Sequence, residues 1–436
     1  MIRIRTKPIA MSVSMAIVLL VGCAATAWGQ TPLAVPTTVT LPASSVPSPA
    51  GAGARAHTNL QFLGSGKGFT GTPQYYGPPF GPGYFYETPA SLACIYGLEP
   101  AVAGCNPYTA SLNPNGGSRA IAIVDAYDNP TIVSDMQVFT GQFGVAAVNP
   151  SSFQVVYAPY GGATPGSCVG PATQPFSAAG SGWDIEASLD TQWAHAMAPY
   201  ATLFLVEAQS NYESDLLCAV SIASSIVQSF GGGEVSMSWG GGEDPSELTI
   251  DPVFTTPHVV YFAATGDGPG VIYPAASPNV VSVGGTSTSR NPVTGNFRFE
   301  NVWQDTGGGP SFFEPRPAYQ NGIASIVGSQ RGTPDVAADA NPYTGVWVFN
   351  STYIGFPVWF TVGGTSVATP VWAGITNLAG GFSASSVAEL TKLYADPAGD
   401  FTDITIGTCG PFMGYVAAAG WDFCSGRGSP HTAVGK

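Results

Sequence analysis

The chain reads as an α/β protein built on a mainly parallel sheet with helices on both faces. Three observations predict this. Five short apolar runs, "AIAIVDAYD" (120–128), "ATLFLVEAQ" (201–209), "EVSMSWG" (234–240), "VVYFAATGD" (259–267) and "NVVSVGGTS" (279–287), each end in small or polar residues. Segments of helical character separate them, and 56 glycines with 38 prolines in 436 residues supply many turns. Near-continuous hydrophobic strands alternating with helices belong to a parallel sheet covered on both faces. In such sheets ligands bind outside the carboxyl ends of the strands. Asp125, Ser238 and Asp267 fall at those ends.

The chain divides into three stretches. Residues 1–29 read as a signal peptide: Arg3, Arg5 and Lys7 precede an apolar run from Ile9 to Val21, too short and wrongly flanked for an ordinary spanning helix. Two exits stay open. Leu20-Val21-Gly22-Cys23 resembles the bacterial lipobox, in which Cys23 would carry a lipid anchor, and Ala27-Trp28-Gly29 offers ordinary cleavage before Gln30. Either exit places the mature protein outside the cytosol, secreted to the periplasm or beyond. Residues 30–84 are rich in Pro, Gly, Ser, Thr and Ala and read as a loosely ordered arm. Residues 85–432 form the folded domain, with no internal repeat. Removing Cys23 leaves six cysteines in three local pairs, Cys94/Cys105, Cys168/Cys218 and Cys409/Cys424, although six cysteines allow fifteen connectivities. With no C-x-x-C motif or zinc spacing, disulfides in an oxidising compartment are the better reading.

Composition narrows the function. Only 9% of residues are charged, against about 25% in ordinary soluble proteins. With 27 acidic and 13 basic residues the net charge is −14, and nothing suggests a nucleic-acid partner, which would call for a basic patch. A surface with few ionised groups, mostly carboxyls, accumulates little repulsion in acid.

"GGTSVATP" (363–370) holds Ser366 after two glycines and ahead of a proline compatible with a helix's first turn. A serine hydroxyl is a poor nucleophile without a base. None of the four histidines, His57, His195, His258 and His431, stands in an H-G-T-H context, and no complete G-x-S-x-G elbow exists. Carboxylates remain. "SGWDIEASLDTQWAHAMAP" (181–199) opens with Ser181 and Asp184 in capping-box spacing and places Glu186 and Asp190 one turn apart on one helix face. Two like charges there repel, so one keeps its proton to higher pH than usual. Such a pair is often a solvated acidic face. Here Ile185, Leu189, Trp193 and Met197 bury much of the helix, and no Lys or Arg lies within it.

Taken together, Glu186-x-x-x-Asp190, "ATGDGPG" around Asp267 and "GGTSVATP" around Ser366 resemble the sedolisins, the serine-carboxyl peptidases. The resemblance runs over about residues 87–430 and includes "TPASLACIYGL", "NVWQDTGGGPSFF", "RGTPDVAADANPYTG" and "FTDITIG…AAAGWDFCSGRGSP". It implies a subtilisin-like fold and a monomeric endopeptidase acting in acid on proteins or peptides. By resemblance Ser366 is the nucleophile, Glu186 its base, Asp190 the acid that orients Glu186, and Asp267 the oxyanion-hole acid. The last role requires a protonated carboxyl, since a carboxylate has no proton to donate. The resemblance also implies one structural Ca2+ ion, with carboxylates from Asp403 and Asp422 and backbone carbonyls from Ile404, Ala418 and Gly420. Asp125 and Asp335 read as structural, and "SMSWGGGE" (236–243) as a substrate-pairing edge or an ordinary core strand. One departure stands out: these peptidases typically carry a large folded prodomain, and the 55-residue arm cannot be one. The alternative is therefore a secreted or surface-anchored pseudoprotease that binds peptides without turnover.

Overall fold

A computed structural model describes residues 38–47, 55–68, 86–100 and 102–436. The signal segment with Cys23, and the remainder of the arm, lie outside the described residues. In chain order, the arm contributes the two-residue strand Val39–Thr40 and then two further short strands, β1 (His57–Thr58) and β2 (Gln61–Leu63). The domain continues with β3 (Ala120–Ala126), α1 (Ile132–Phe143), β4 (Phe153–Tyr157), α2 (Trp183–Met197), β5 (Thr202–Ala208) and α3 (Glu213–Ser229). Then come β6 (Gly233–Met237), β7 (Trp239–Gly242), β8 (Val259–Ala264), β9 (Val281–Arg290) and β10 (Phe297–Val302). Last are β11 (Val336–Asp339), β12 (Val346–Asn350), β13 (Val358–Gly363) and α4 (Thr365–Ala379).

The main sheet runs β10-β9-β8-β6-β3-β5-β4, with β11 also beside β9. Every pair is parallel except β9–β10. All five apolar runs lie in it as central strands. Because strand side chains alternate, β3 feeds two cores. Ile121 and Ile123 pack with α1, α2 and α4, whereas Ala122 and Val124 face α3. Small residues let α2 and α4 approach closely: a β-carbon on Gly374 would meet the Met197 β-carbon at 2.6 Å and the Ala194 carbonyl at 2.8 Å. Ile185, Leu189, Trp193 and Met197 are all buried, each apolar side chain contributing about 1.5–3 kcal/mol. That packing fixes the rotation of α2, and with it the direction of Glu186 and Asp190.

The six cysteines join as neighbours, Cys94–Cys105, Cys168–Cys218 and Cys409–Cys424. No helix among the described residues is long and apolar enough to cross a membrane.

Two sequence expectations change. The capping box at Ser181 does not form: Gly182, at φ 100°, is the residue before α2, and Asp184 instead accepts the Gly180 and Gly182 N–H groups at 3.1 Å. The arm is also more ordered than its composition predicts. β1 pairs antiparallel with β7, and β2 pairs antiparallel with β13 in a sheet that also holds Val39–Thr40 and β12. Leu60 and Phe62 are buried in the core.

Candidate active site

Three elements converge at the carboxyl edge of the sheet. α2 brings Glu186 and Asp190, the turn after β6 brings Ser238, and the N-terminus of α4 brings Ser366. Asp267 follows β8. Ser366 is the second residue of α4, so its backbone N–H is one of those with no partner inside the helix. Pro370 stands sixth in the helix, not in its first turn as the sequence suggests. Its missing N–H leaves the Ser366 carbonyl without its usual helical donor. The Ser238 hydroxyl occupies that gap, 3.3 Å from the Ser366 carbonyl, while donating to Asp190 Oδ1 at 2.9 Å. One hydroxyl thus links the acid pair to the serine's helix.

Glu186, Asp190 and Ser366 are wholly buried. Desolvation, together with the neighbouring acids Asp190 and Asp125, holds the Glu186 carboxyl well above its ordinary range. Desolvation and Asp125 do the same for Asp190. Burial also pushes Asp125 up to about 8. Asp125, read from the sequence as a structural residue, therefore stands as a third carboxyl next to the pair. Neither of its oxygens has a hydrogen-bond partner among the described residues. Its signal was present in the sequence: an acid closing an apolar strand at the carboxyl edge.

The Ser366 hydroxyl lies beside Glu186 and favours its charged form, yet donates to the Ser238 carbonyl at 3.1 Å. Both Glu186 oxygens are left without a hydrogen-bond partner among the described residues. Rotation of one hydroxyl separates this arrangement from a nucleophile bonded to its base. Histidine does not intervene: His57, His195 and His431 bond to the Thr58, Ala146 and Gly399 carbonyls, and no histidine among the described residues bonds to Ser366.

Asp267 Oδ1 accepts from the Thr365 N–H (2.8 Å) and hydroxyl (3.0 Å), while Oδ2 is buried with no hydrogen-bond partner among the described residues. Desolvation pushes this carboxyl up to about 8, so in acid it carries a proton. A β-carbon on Gly364 (φ 111°) would crowd Asp267 Oδ2 at 2.6 Å. A glycine is required there, as the quoted "GGTS" anticipates.

The expected metal residues share one C-terminal loop. Asp403 accepts the Gly420 N–H and Asp422 the Ala418 N–H, both at 2.9 Å. Among the described residues, no group of three or more His, Cys, Asp or Glu side chains could hold a metal.

Comparison with models of known protein families finds no match. Kumamolisin of Bacillus sp. (strain MN-32) is 32% identical over 362 residues, 72% of this chain and 59% of that protein. Sedolisin of Pseudomonas sp. (strain 101) is 24% identical over 362 residues, 74% of this chain and 58% of its own. The chain thus spans less than two thirds of the length of either relative. Among solved structures, Pseudomonas sedolisin, a serine-carboxyl proteinase complexed with two molecules of pseudo-iodotyrostatin, matches with a TM-score of 0.62 at 23% identity. That match covers 80% of this chain and 96% of the other, and it is a likeness of fold, the α/β subtilisin-like architecture. With a mainly parallel sheet, Ser366 on a helix N-terminus beside two buried acids, and relatives of these names, the chain belongs to the sedolisin family.

Proposed function

We propose that the protein is a serine-carboxyl endopeptidase that hydrolyses proteins or peptides in acid. The observation that carries this reading is Ser366 beside a buried, cation-free set of carboxyls with no histidine bonded to it. In the mechanism, Glu186 takes the Ser366 proton as the hydroxyl attacks the peptide carbonyl. Asp190, held by Ser238, shares the charge of the pair and orients it. The Ser366 N–H and protonated Asp267 donate to the tetrahedral oxygen, and Glu186 returns the proton to the leaving amine. Water then releases the acyl group by the reverse sequence. A carboxyl base works best where ambient pH lies near the pair's own apparent pKa values, and a neutral Asp267 is needed as donor. Both demands point to acid.

One structural Ca2+ is part of the reading. Asp403 and Asp422 would supply carboxylates, and the Ile404, Ala418 and Gly420 carbonyls accept no hydrogen bond among the described residues, which suits a hard cation taking six to eight oxygens. Bound there, the ion would order the loop that the Cys409–Cys424 disulfide also closes. Three disulfides and the signal-like segment support a location outside the cytosol, with lipid attachment at Cys23 as one of two exits. We read the protein as a monomer.

The second reading, a pseudoprotease that holds peptides without turnover, draws on one observation: Ser366 is fully covered. A peptide aldehyde separates the two. An active Ser366 adds to it reversibly at one equivalent per chain and turnover of unfolded protein stops. A pseudoprotease would bind the aldehyde and its parent peptide alike.

A further inference from the structure

One wall of the candidate site is held by acids that the mechanism does not use. β7 leads directly from Ser238, and one of its edges pairs antiparallel with extended chain, His57 and Thr58. Its other edge pairs antiparallel with Ile272–Tyr273, a few residues beyond Asp267. After Trp239 the strand is all glycine (Gly240–Gly242), so no side chain of its own anchors its far end. Carboxyls tie that end down instead.

Glu243, the next residue, accepts the Ser311 hydroxyl and the Phe312 N–H (3.2 Å) from the strand Gly309–Pro315. Asp251 Oδ1 accepts the Tyr273 hydroxyl at 3.1 Å and the Ser277 hydroxyl at 2.6 Å. Two further acids complete the group: Glu247, on the short helix Glu247–Ile250, and Glu314, on the strand Gly309–Pro315. They are only 2% and 1% exposed. Neither Glu247 oxygen, nor Glu314 Oε1, has a hydrogen-bond partner from an N–H or hydroxyl among the described residues. The carboxyls face one another: Glu243 and Glu247 lie close enough to share a hydrogen bond, and so do Asp251 and Glu314. Two carboxylates cannot make such a bond, because one member must hold a proton.

The surroundings offer no free cation. Arg331 acts on Asp251 and Glu314, but both its terminal nitrogens are bound to Asp335. The other titratable groups facing the cluster are Tyr273, Tyr319 and Glu213, with Asp244 beside Glu213. Burial and the neighbouring acids push Glu247 up to about 9 and Glu314 up to about 8. Burial raises Glu243 and Asp251 as well.

We propose that Glu243, Glu247, Asp251 and Glu314 form a proton-operated latch: protonated, they clamp β7 as the wall of the substrate groove, and ionised, they push it away, so that peptide binding needs acid independently of the chemistry at Ser366. This rests on the peptidase reading above, in which β7 pairs with substrate. Released into water, Glu247 and Glu314 return to ordinary values near about 4.3. The latch is therefore fully favoured below about pH 4. Above that, each of the two groups lowers the closed-to-open ratio about tenfold per pH unit until its own closed-state value is reached, about a hundredfold together.

Hydrogen exchange of the full chain between about pH 5 and 8, corrected for the pH dependence of the exchange reaction itself, tests this. Protection of the amides in 239–251 and 309–314 should fall by about a hundredfold or more relative to β3 and β8. With Glu247→Gln and Glu314→Gln together, most of that fall should vanish. Should the double variant fail to fold, Glu314→Gln alone should cut the steepness from about a hundredfold to about tenfold per pH unit. In steady-state hydrolysis, KM should rise with pH in the unchanged protein and not in the double variant, while kcat falls alike in both. Equal loss of protection in both proteins, or none in either, overturns the latch, and acid-dependent hydrolysis by such a chain leaves the peptidase reading standing. A wall that opens with pH in the unchanged chain alone, in a protein inert towards peptides, supports the latch and overturns the peptidase reading.

Discussion

The molecule buries carboxyl groups in two different ways. Glu87 receives Arg290 through two nitrogens at 2.8 and 2.5 Å and the Ser91 and Thr288 hydroxyls as well. Asp335 takes both Arg331 nitrogens at 2.8 and 2.6 Å, the Ser282 N–H and the Tyr394 hydroxyl. At the carboxyl edge of the sheet, no oxygen of Glu186 or Asp125 has a hydrogen-bond partner among the described residues, burial raises both, and the charges acting on Glu186 are other carboxyls. An acid whose task is to hold strands together is paired with a cation and saturated with donors. An acid that must accept and return a proton is left unsatisfied, so that burial and its neighbouring acids set how tightly the group holds a proton.

The largest effect on stability should come from breaking the paired region. Arg331→Met leaves Asp335 buried without its cation and should cost about 3–5 kcal/mol, read as a fall in urea midpoint at unchanged slope. Asp125→Asn, which removes a group already held neutral, should cost less than about 1 kcal/mol. Comparable losses in the two variants would erase the distinction.

Next comes Asp267→Ala. If the neutral acid donates to the oxyanion, the loss in kcat/KM corresponds to about 2.7–4 kcal/mol, with little change in binding of a ground-state peptide. Equal losses in both would make Asp267 a binding or folding residue.

Calcium at a hundredfold excess over its Kd should add about 2.7 kcal/mol of stability, measured as a shift in Tm against chelator at pH near 6. The gain should shrink in acid as protons compete for Asp403 and Asp422. Identical midpoints would remove the ion from the account.

The last effect is read per pH unit, in the melts. Asp125 and Asp267, both at about 8, and Glu300, at about 7, sit above the values they take when unfolded. The folded state then binds more protons than the unfolded one between about pH 4 and 8, so stability is full below about pH 4 and falls as pH rises. Each such group contributes a slope of about 1.4 kcal/mol per pH unit within its window. Tm should decline from acid to neutral, less steeply in Asp125→Asn. A flat profile would mean these acids are ionised in the fold.

Much of this was legible in the sequence because it depends on local pattern. The apolar runs became the central strands, the neighbouring cysteines joined, and the quoted motifs met at one sheet edge. What escaped depends on partners distant in the chain. "HTNLQFL" in the arm is ordered by β7 and β13, some 180 and 300 residues away, although the alternation of Leu60 and Phe62 hinted at a strand. Asp125 read as structural, and only the fold showed it beside two further acids. The Ser181 cap failed because Gly182 turns the backbone to positive φ at the helix start.

The most direct test of the central claim is the pH profile of peptide hydrolysis for the protein and its Glu186→Gln variant. The account predicts an optimum well below pH 7 and a loss on the order of 10⁴-fold or more in kcat for the variant, with the fold retained. A neutral optimum that survives Glu186→Gln would contradict it.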